Sequence, residues 1–328
     1  MHAHTKHQAR VHINVKFLDL SLNDASSIRN YTKGDSRTMA TISASAVKDL
    51  REKTGVGMME AKKALEEAVG DFEKAVDLLR KKGLSAAAKK AARVASEGMI
   101  ASTIKGNGKI GVLVEVNSET DFVAKNDDFQ NFAKAAVSLV ADGNPADVAA
   151  LSQLRINNET VEARRNTLVQ KIGENISIRR FMRYETAGQL AIYLHGARIG
   201  VMVDFSEGDE QLGKDIAMHI AAANPQFLNR EAVPADVLNR ERAVYEAQAK
   251  ESGKPAAIIG KMVDGKLEKF YTDTCLMDQI YIKDPDGKIK IKNLMKNAMV
   301  KRFVRYQLGE GIEKKKENFA EEVAAQLK

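Results

Sequence analysis

Two segments of this chain occur twice, in the same order, and that repetition constrains the fold more than any other feature. Ile110-Gly111-Val112-Leu113-Val114-Glu115-Val116 returns as Ile199-Gly200-Val201-Met202-Val203-Asp204-Phe205, and Arg180-Phe181-Met182-Arg183-Tyr184-Glu185 returns as Arg302-Phe303-Val304-Arg305-Tyr306-Gln307. Two matches in one order predict an internal duplication. Because strand-like and helix-like patterns alternate from residue 98 onward, the expected class is α+β. The two related core subdomains are expected over 98–186 and 187–312. From Gly111 to Arg180 is 69 residues, whereas from Gly200 to Arg302 is 102, so the second copy carries 33 extra residues. The stretch at about 235–270 accounts for them. It has a helical pattern from Ala235 to about Ser252, a break at Gly253-Lys254-Pro255, and a second helical run through Ile258, Ile259, Met262 and Leu267. An inserted antiparallel helical hairpin is the economical reading. It would bury little against its own sheet, so it should contact something else or move.

Before the duplication lies a shorter helical unit, residues 39–83. Ser43 or Ser45 is suited to cap a helix through Val47, Leu50 and Arg51, ending near Thr54-Gly55. A second helix is expected after Gly57, with Met58, Ala61, Leu65 and Ala68 at helical spacing, and a third, through Phe72, Ala75, Val76 and Leu79, is expected to stop at Gly83. Adjacent residues on a helix cannot both face the core, so one of Met58 and Met59 is expected inside and the other outside. The Ala-rich stretch 84–97, with Lys89, Lys90 and Arg93, reads as a helical or semi-rigid connector.

Residues 1–38 differ in character. They hold four of the six His and six basic residues against three Asp, which gives them +3 of the total charge of +7 and leaves +4 on the other 290 residues. No apolar run follows a basic start, so this is no secretory signal. The alternation Val11-His12-Ile13-Asn14-Val15-Lys16-Phe17 favours strand over the amphipathic helix of an import signal. A poorly ordered leader, with the working chain starting at Met39, is the expectation. That places the protein in the cytoplasm, or in an organelle if the leader directs import.

Composition narrows the chemistry. A single Cys, Cys275, excludes a disulfide framework and a four-thiolate zinc site. No apolar run is long enough to span a membrane. An aromatic content of 5% without Trp, and a nearly balanced main body, argue against a nucleic-acid platform. Gly55-Val56-Gly57 lacks the third glycine and the preceding strand of a dinucleotide loop, so it reads as a tight helix–helix turn, and no direct nucleotide binding is expected. His195 and His219 are the only His outside the leader, and no zinc, calcium or nucleophile-elbow pattern is present. A carboxylate-only active site remains as the thin basis for an enzyme; the chain is otherwise expected to be no enzyme and to hold no cofactor or metal.

The segment Glu115-Val116-Asn117-Ser118-Glu119-Thr120-Asp121-Phe122-Val123-Ala124-Lys125 sets an acidic group beside a large aromatic between a strand and the helical stripe Phe129, Phe132, Ala133 and Val137. On residue types alone, Thr120 or Asp121 caps that helix and Phe122 packs beneath it. The segment also resembles a signature of the elongation factor Ts family, guanine-nucleotide exchange factors for elongation factor Tu. A second signature is matched by Leu50-Arg51-Glu52-Lys53-Thr54-Gly55-Val56-Gly57-Met58-Met59-Glu60-Ala61-Lys62-Lys63-Ala64-Leu65. Tyr193-Leu194-His195-Gly196-Ala197-Arg198-Ile199-Gly200 and Arg305 to Lys316 are similar to that family too.

The resemblance implies a UBA-like three-helix module, two similar core subdomains, a helical hairpin and a C-terminal helix over 313–328. It implies that Thr120, Asp121, Phe122 and Val123 displace magnesium from elongation factor Tu. Tyr193, His195 and Gly196 would press on the partner, and Arg51, Met58, Met59 and Lys62 would form a docking face. One departure is Gln279-Ile280-Tyr281-Ile282, where the family usually has Pro in place of Ile280. The second-ranked reading is an RNA- or ribosome-associated basic protein without exchange activity, and homodimer pairing through the hairpin stays open.

Overall fold

A computed structural model describes residues 42–313 apart from 207, 252 and 296. The leader and the expected C-terminal helix thus lie outside the described residues, Glu313 excepted. Three helices come first: α1 (Ala44–Thr54), α2 (Met58–Glu67) and α3 (Phe72–Lys90). The Ser43 hydroxyl accepts from the Ala46 amide to cap α1, and the Asp71 carboxylate accepts from the Lys74 amide to cap α3. Leu50, Ala61, Ala64, Leu65, Ala75 and Leu79 close the small core between them.

The third helix does not stop at Gly83. It continues to Lys90, taking up half of the stretch expected as a connector, because its far end docks on a later helix. A Cβ at Gly83 would stand 2.8 Å from Gln170 Oε1, so the missing side chain is what lets the two helices approach. Close packing there offsets the roughly 1 kcal/mol that a glycine costs in a helix interior.

The first sheet follows. It is built from β1 (Glu97–Lys105), β2 (Ile110–Ser118) and, after α4 (Asp127–Gly143), α5 (Val148–Gln153), the short β3 (Arg155–Ile156) and β4 (Glu159–Thr160) and α6 (Val161–Ile172), by β5 (Ser177–Glu185). Its order is β1-β2-β5, antiparallel throughout. Val112, Val114 and Val116 of β2 point into a core filled by Phe129, Phe132, Val137 and Val140 of α4 and Leu168 and Val169 of α6. The second sheet joins β6 (Gln189–His195), β7 (Ile199–Phe205) and β8 (Val300–Gln307) in the order β6-β7-β8. Between β7 and β8 come α7 (Glu210–Ala223), α8 (Ala235–Glu251), α9 (Ala256–Thr274) and the short α10 (Ile291–Leu294). Helix α7 covers this sheet with Ile216, Ala217 and Ile220 against Val201, Val203 and Phe205.

The repeated segments occupy matching places in the two sheets. Glu115 lies opposite Arg180 across β2 and β5, and Asp204 lies opposite Arg302 across β7 and β8. Each pair sits at a register shift, one at Glu115/Val116 and the other at Asp204/Phe205. The remaining faces of the sheets meet around Ile100, Leu113, Tyr184, Leu190, Met202, Tyr306 and Leu308. There the matched glycines allow contact: a Cβ on Gly111 would stand 2.6 Å from Met202 Sδ, and one on Gly200 2.6 Å from Ile100 Cγ2. The arginines cross over. Arg180 of the first sheet stacks on Tyr306 of the second at 4.1 Å, and Arg302 of the second stacks on Tyr184 of the first at 4.0 Å.

Helices α8 and α9 run antiparallel around Ala249, Val263 and Leu267. Their root is held by Arg230, whose guanidinium bonds both Glu268 and Asp278 and lies over the Tyr271 ring. The segment that departs from the family pattern is pinned as well. The His219 ring, buried, bonds Gln279 Oε1 through Nε2 at 2.9 Å and accepts from the Ile282 amide at Nδ1. Burial pushes its pKa down, against the opposing Gln279 bond, so His219 is a neutral structural group.

Glu115 is fully buried. Its carboxylate accepts from Arg180 Nε at 2.6 Å, Arg179 Nη1 at 3.1 Å and the Gly309 amide at 2.8 Å. Burial acts to raise its pKa, but the Gly309 amide and the two guanidiniums together outweigh it and hold the carboxyl below its ordinary value of 4.5. Removing one partner of a buried ion pair costs about 3–5 kcal/mol. Glu115→Gln is therefore expected to lower stability to urea by about that much at pH 7. Since the folded pKa is depressed, the wild-type advantage is complete above the unfolded value and fades as pH falls through the folded one. Urea titrations of both proteins between pH 7 and pH 3 check this; a pH-independent gap would assign the effect to packing.

Candidate functional site

The acidic–aromatic segment begins where β2 ends. Ser118 is buried opposite Glu97 of β1, and its hydroxyl donates to the Thr120 carbonyl at 2.8 Å. The chain then leaves the sheet as a short loop, and a single turn of 3₁₀ helix, Val123–Lys125, brings it to α4. The cap of α4 is Asn126, whose side-chain oxygen accepts from the Asp128 and Phe129 amides. Thr120 and Asp121 are therefore free of the capping role that their residue types suggested. Phe122 does not pack beneath the helix either: 76% of it is exposed. Val123, next to it, is buried in the core under α4 and serves as the anchor that leaves Phe122 outside.

Polar contacts fix the loop on its other side. The Thr120 amide and hydroxyl both donate to the Glu174 carboxylate, at 2.9 and 2.6 Å. Glu119 accepts from the Asn175 amide at 2.6 Å and forms a longer pair with Arg93 at 3.5 Å. Asp121 and Phe122 thus stand at the tip of a segment held at both ends, with the Lys125 ammonium 5.9 Å from the Phe122 ring centre.

The turn between β6 and β7 lies at the same end of β1. The Ile100 amide donates to the Ala197 carbonyl at 2.8 Å, and Arg198 pairs with Glu97 at 3.0 Å. Glu97, which faces Ser118 across the ladder, therefore connects the turn to the root of the loop. His195 is exposed at the end of β6, and its Nδ1 is 3.2 Å from the Tyr193 hydroxyl. Gly196 takes a left-handed conformation (φ 58°) that carries the chain around. Loop and turn are brought together by β1, although about seventy residues separate them in sequence.

The remaining candidates stand apart on the three-helix unit. Arg51 on α1 and Met58, Met59 and Lys62 on α2 are all exposed around the Gly55–Gly57 turn. Neither methionine is inside: Met58 is 56% and Met59 63% exposed. The expected inward place is taken by Val56, which closes the core two residues before the helix begins. Two adjacent thioethers on a short helix form a soft apolar patch rimmed by two cations.

Concave sites offer less. A cleft of about 520 Å³ between α3 and α6 contains none of these residues, and its carboxylates Glu159 and Glu162 are paired with Arg164 and Arg165. Glu174 and Asn175 were missed in the sequence, since their only signal is a Gly-Glu-Asn turn after a helical stretch. Among the described residues no helix is long and apolar enough to cross a membrane.

The family model described as Elongation factor TS matches residues 119–310, more than half of the chain. Its match starts at the loop itself and ends at Glu310, beside Arg180. Among curated relatives, Elongation factor Ts of Burkholderia multivorans is 55% identical over 289 residues, covering 88% of this chain and 98% of the relative. Elongation factor Ts of Alkalilimnicola ehrlichii is 52% identical over 288 residues, covering 88% and 99%. That of Paraburkholderia xenovorans is 54% identical over 291 residues, covering 88% and 98%.

Neighbouring residues of the loop should respond oppositely to truncation. Phe122→Ala is expected to change stability by no more than about 0.5 kcal/mol, as for an exposed side chain. Val123→Ala is expected to cost about 1.5–3 kcal/mol for lost burial. Thermal and urea unfolding of the two variants measure this; a large loss with Phe122→Ala would mean that the ring packs on the protein.

Proposed function

The chain belongs to the elongation factor Ts family, and from that premise we propose that it binds elongation factor Tu carrying GDP and drives GDP release so that GTP can enter. As a member it is a translation elongation factor, working in protein biosynthesis. The observation that carries the exchange mechanism is Phe122, a large aromatic exposed at the tip of a loop whose backbone is fixed from both sides. A phenylalanine this exposed contributes little to its own fold. Rigidly presented, it can enter a partner without the entropic cost of ordering a loose loop.

In this reading Phe122 wedges into the nucleotide domain of the partner near its magnesium site. Asp121 accompanies it with a negative charge, and Thr120 and Val123 hold the two in position. Magnesium neutralises the phosphates of bound GDP, so dislodging it removes much of their attraction to the protein. His195, supported by Tyr193 and turned outward by Gly196, presses on the partner beside the loop and helps shift its phosphate-binding segment. Arg51, Met58, Met59 and Lys62 dock the three-helix unit separately. No residue here makes or breaks a covalent bond. The chain binds the nucleotide-free partner more tightly than the GDP form, and reciprocity then requires that GDP be bound more weakly in its presence.

The same reading extends to architecture and place. The three-helix unit is UBA-like, the two sheets with their helices are copies of one ancestral subdomain, and the protein works in the cytoplasm without binding nucleotide itself. The matched Glu115–Arg180 and Asp204–Arg302 pairs support the duplication.

Release of a fluorescent GDP from purified elongation factor Tu tests the function. Wild-type chain is expected to accelerate release, and no acceleration from an active partner would sink the proposal. Phe122→Ala should lower the maximal rate by about thirtyfold, the size of an interface hot spot of about 2 kcal/mol. Met58→Ala with Met59→Ala should instead raise the concentration needed for half-maximal release, leaving the maximal rate near wild type.

A further inference from the structure

We infer that Glu174 is a positioning residue for exchange: its carboxylate clamps the backbone and side chain of Thr120, and the clamp presents Phe122 to the partner. The inference rests on the exchange reading above. The resemblance carried over no residue from this part of the chain.

The local sequence explains how the clamp is built. Helix α6 ends at Ile172, and Gly173 follows in the left-handed conformation (φ 89°), its amide donating to the Val169 carbonyl. That reversal turns the chain from the helix axis toward the start of β5 and places Glu174 and Asn175 side by side against the loop. Glu174 Oε2 then accepts from the Thr120 amide at 2.9 Å and Oε1 from the Thr120 hydroxyl at 2.6 Å. A single carboxylate thereby satisfies two donors of one residue, in a partly buried place where charge-assisted bonds are strong. Asn175 adds a second leg. Its amide donates to Glu119, and its side chain donates to the Arg93 carbonyl at 2.8 Å.

Geometry restricts what this arrangement can be for. The loop has its hydrophobic anchor at Val123 and its strand anchor at Ser118, one on each side of the clamped residue. What the clamp adds is the direction of the two residues between them, Asp121 and Phe122. The amide bond fixes the orientation of the peptide plane entering Thr120, and the hydroxyl bond fixes the Thr120 side-chain rotamer, so one carboxylate holds both. Without them the loop, in a complex already docked through the three-helix unit, would sample several orientations of which only a fraction could insert, and the maximal rate falls by that fraction. Glu174 touches neither nucleotide nor magnesium in this scheme. It acts only through Thr120.

The test compares full-length wild type with Glu174→Ala, Glu174→Gln and Thr120→Val, using GDP release from elongation factor Tu and amide hydrogen exchange of residues 119–123 in the free protein. Glu174→Ala should lower the maximal release rate by about tenfold at an unchanged half-saturating concentration, and speed hydrogen exchange at Thr120. Glu174→Gln, which keeps one acceptor, should recover part of the rate. Thr120→Val should lose less than Glu174→Ala, and adding it to Glu174→Ala should cost nothing more. Several results would overturn the inference: a wild-type rate with Glu174→Ala, a loss seen only in the half-saturating concentration, or a loss tracking a fall in melting temperature. If wild type itself fails to release GDP, the exchange reading falls. Unchanged hydrogen exchange at Thr120 in Glu174→Ala would overturn the clamp independently.

Discussion

The buried carboxylate of Glu115 is the point on which the rest of the structure depends. It sits in the middle strand of the first sheet, yet one of its bonds comes from the amide of Gly309, just beyond the last strand of the second. Arg180, which pairs with it, also reaches the Gln307 carbonyl and the Glu310 carboxylate. A charge buried without partners would cost several kcal/mol, so the two sheets are compelled to meet where those partners are. The counterpart in the second sheet repeats the device in a lighter form. Asp204 takes Arg302 and the Thr186 hydroxyl, and Arg302 lies across a tyrosine of the first sheet.

That junction has a consequence for the loop. Strand β2 runs through the sheet interface at Gly111 and Leu113, through the ion pair at Glu115, and ends at Ser118, one residue before the loop begins. In the proposed wedge role a rigid root matters, because a flexible base would add an entropic cost to every insertion. The turn carrying His195 is attached to the same β1 edge, by backbone and by Glu97. Loop and turn are therefore tied to the same edge of β1, while the three-helix unit with its methionine patch stands on separate helices.

Much of this was legible in the residues, and the exceptions share a cause. The Ser43 cap and the stripe of α4 are local signals, acting over one to four residues, and they appear where their spacing places them. Gly83 is also a local signal, for a helix end, but α6 lies against it and overrides that preference. Helical period puts one of Met58 and Met59 inside, but the period cannot show that Val56 already fills the space. For Phe122 the general rule that aromatics are buried points the wrong way, whereas the family signature singles the residue out. The Thr120–Glu174 bonds span more than fifty residues, and no spacing rule reaches that far.

By itself the sequence determined the elements, the repetition of the strand segments, the position of the long insert, and the acidic–aromatic segment as the place of interest. These are properties of backbone preference and side-chain period, settled by near neighbours. Only the tertiary structure decided that matched arginines would cross between sheets, and that Phe122 would stand in solvent on a clamped loop. Each of those outcomes depends on which distant group arrives to satisfy a buried charge or a backbone donor. That competition is resolved only when the chain is packed.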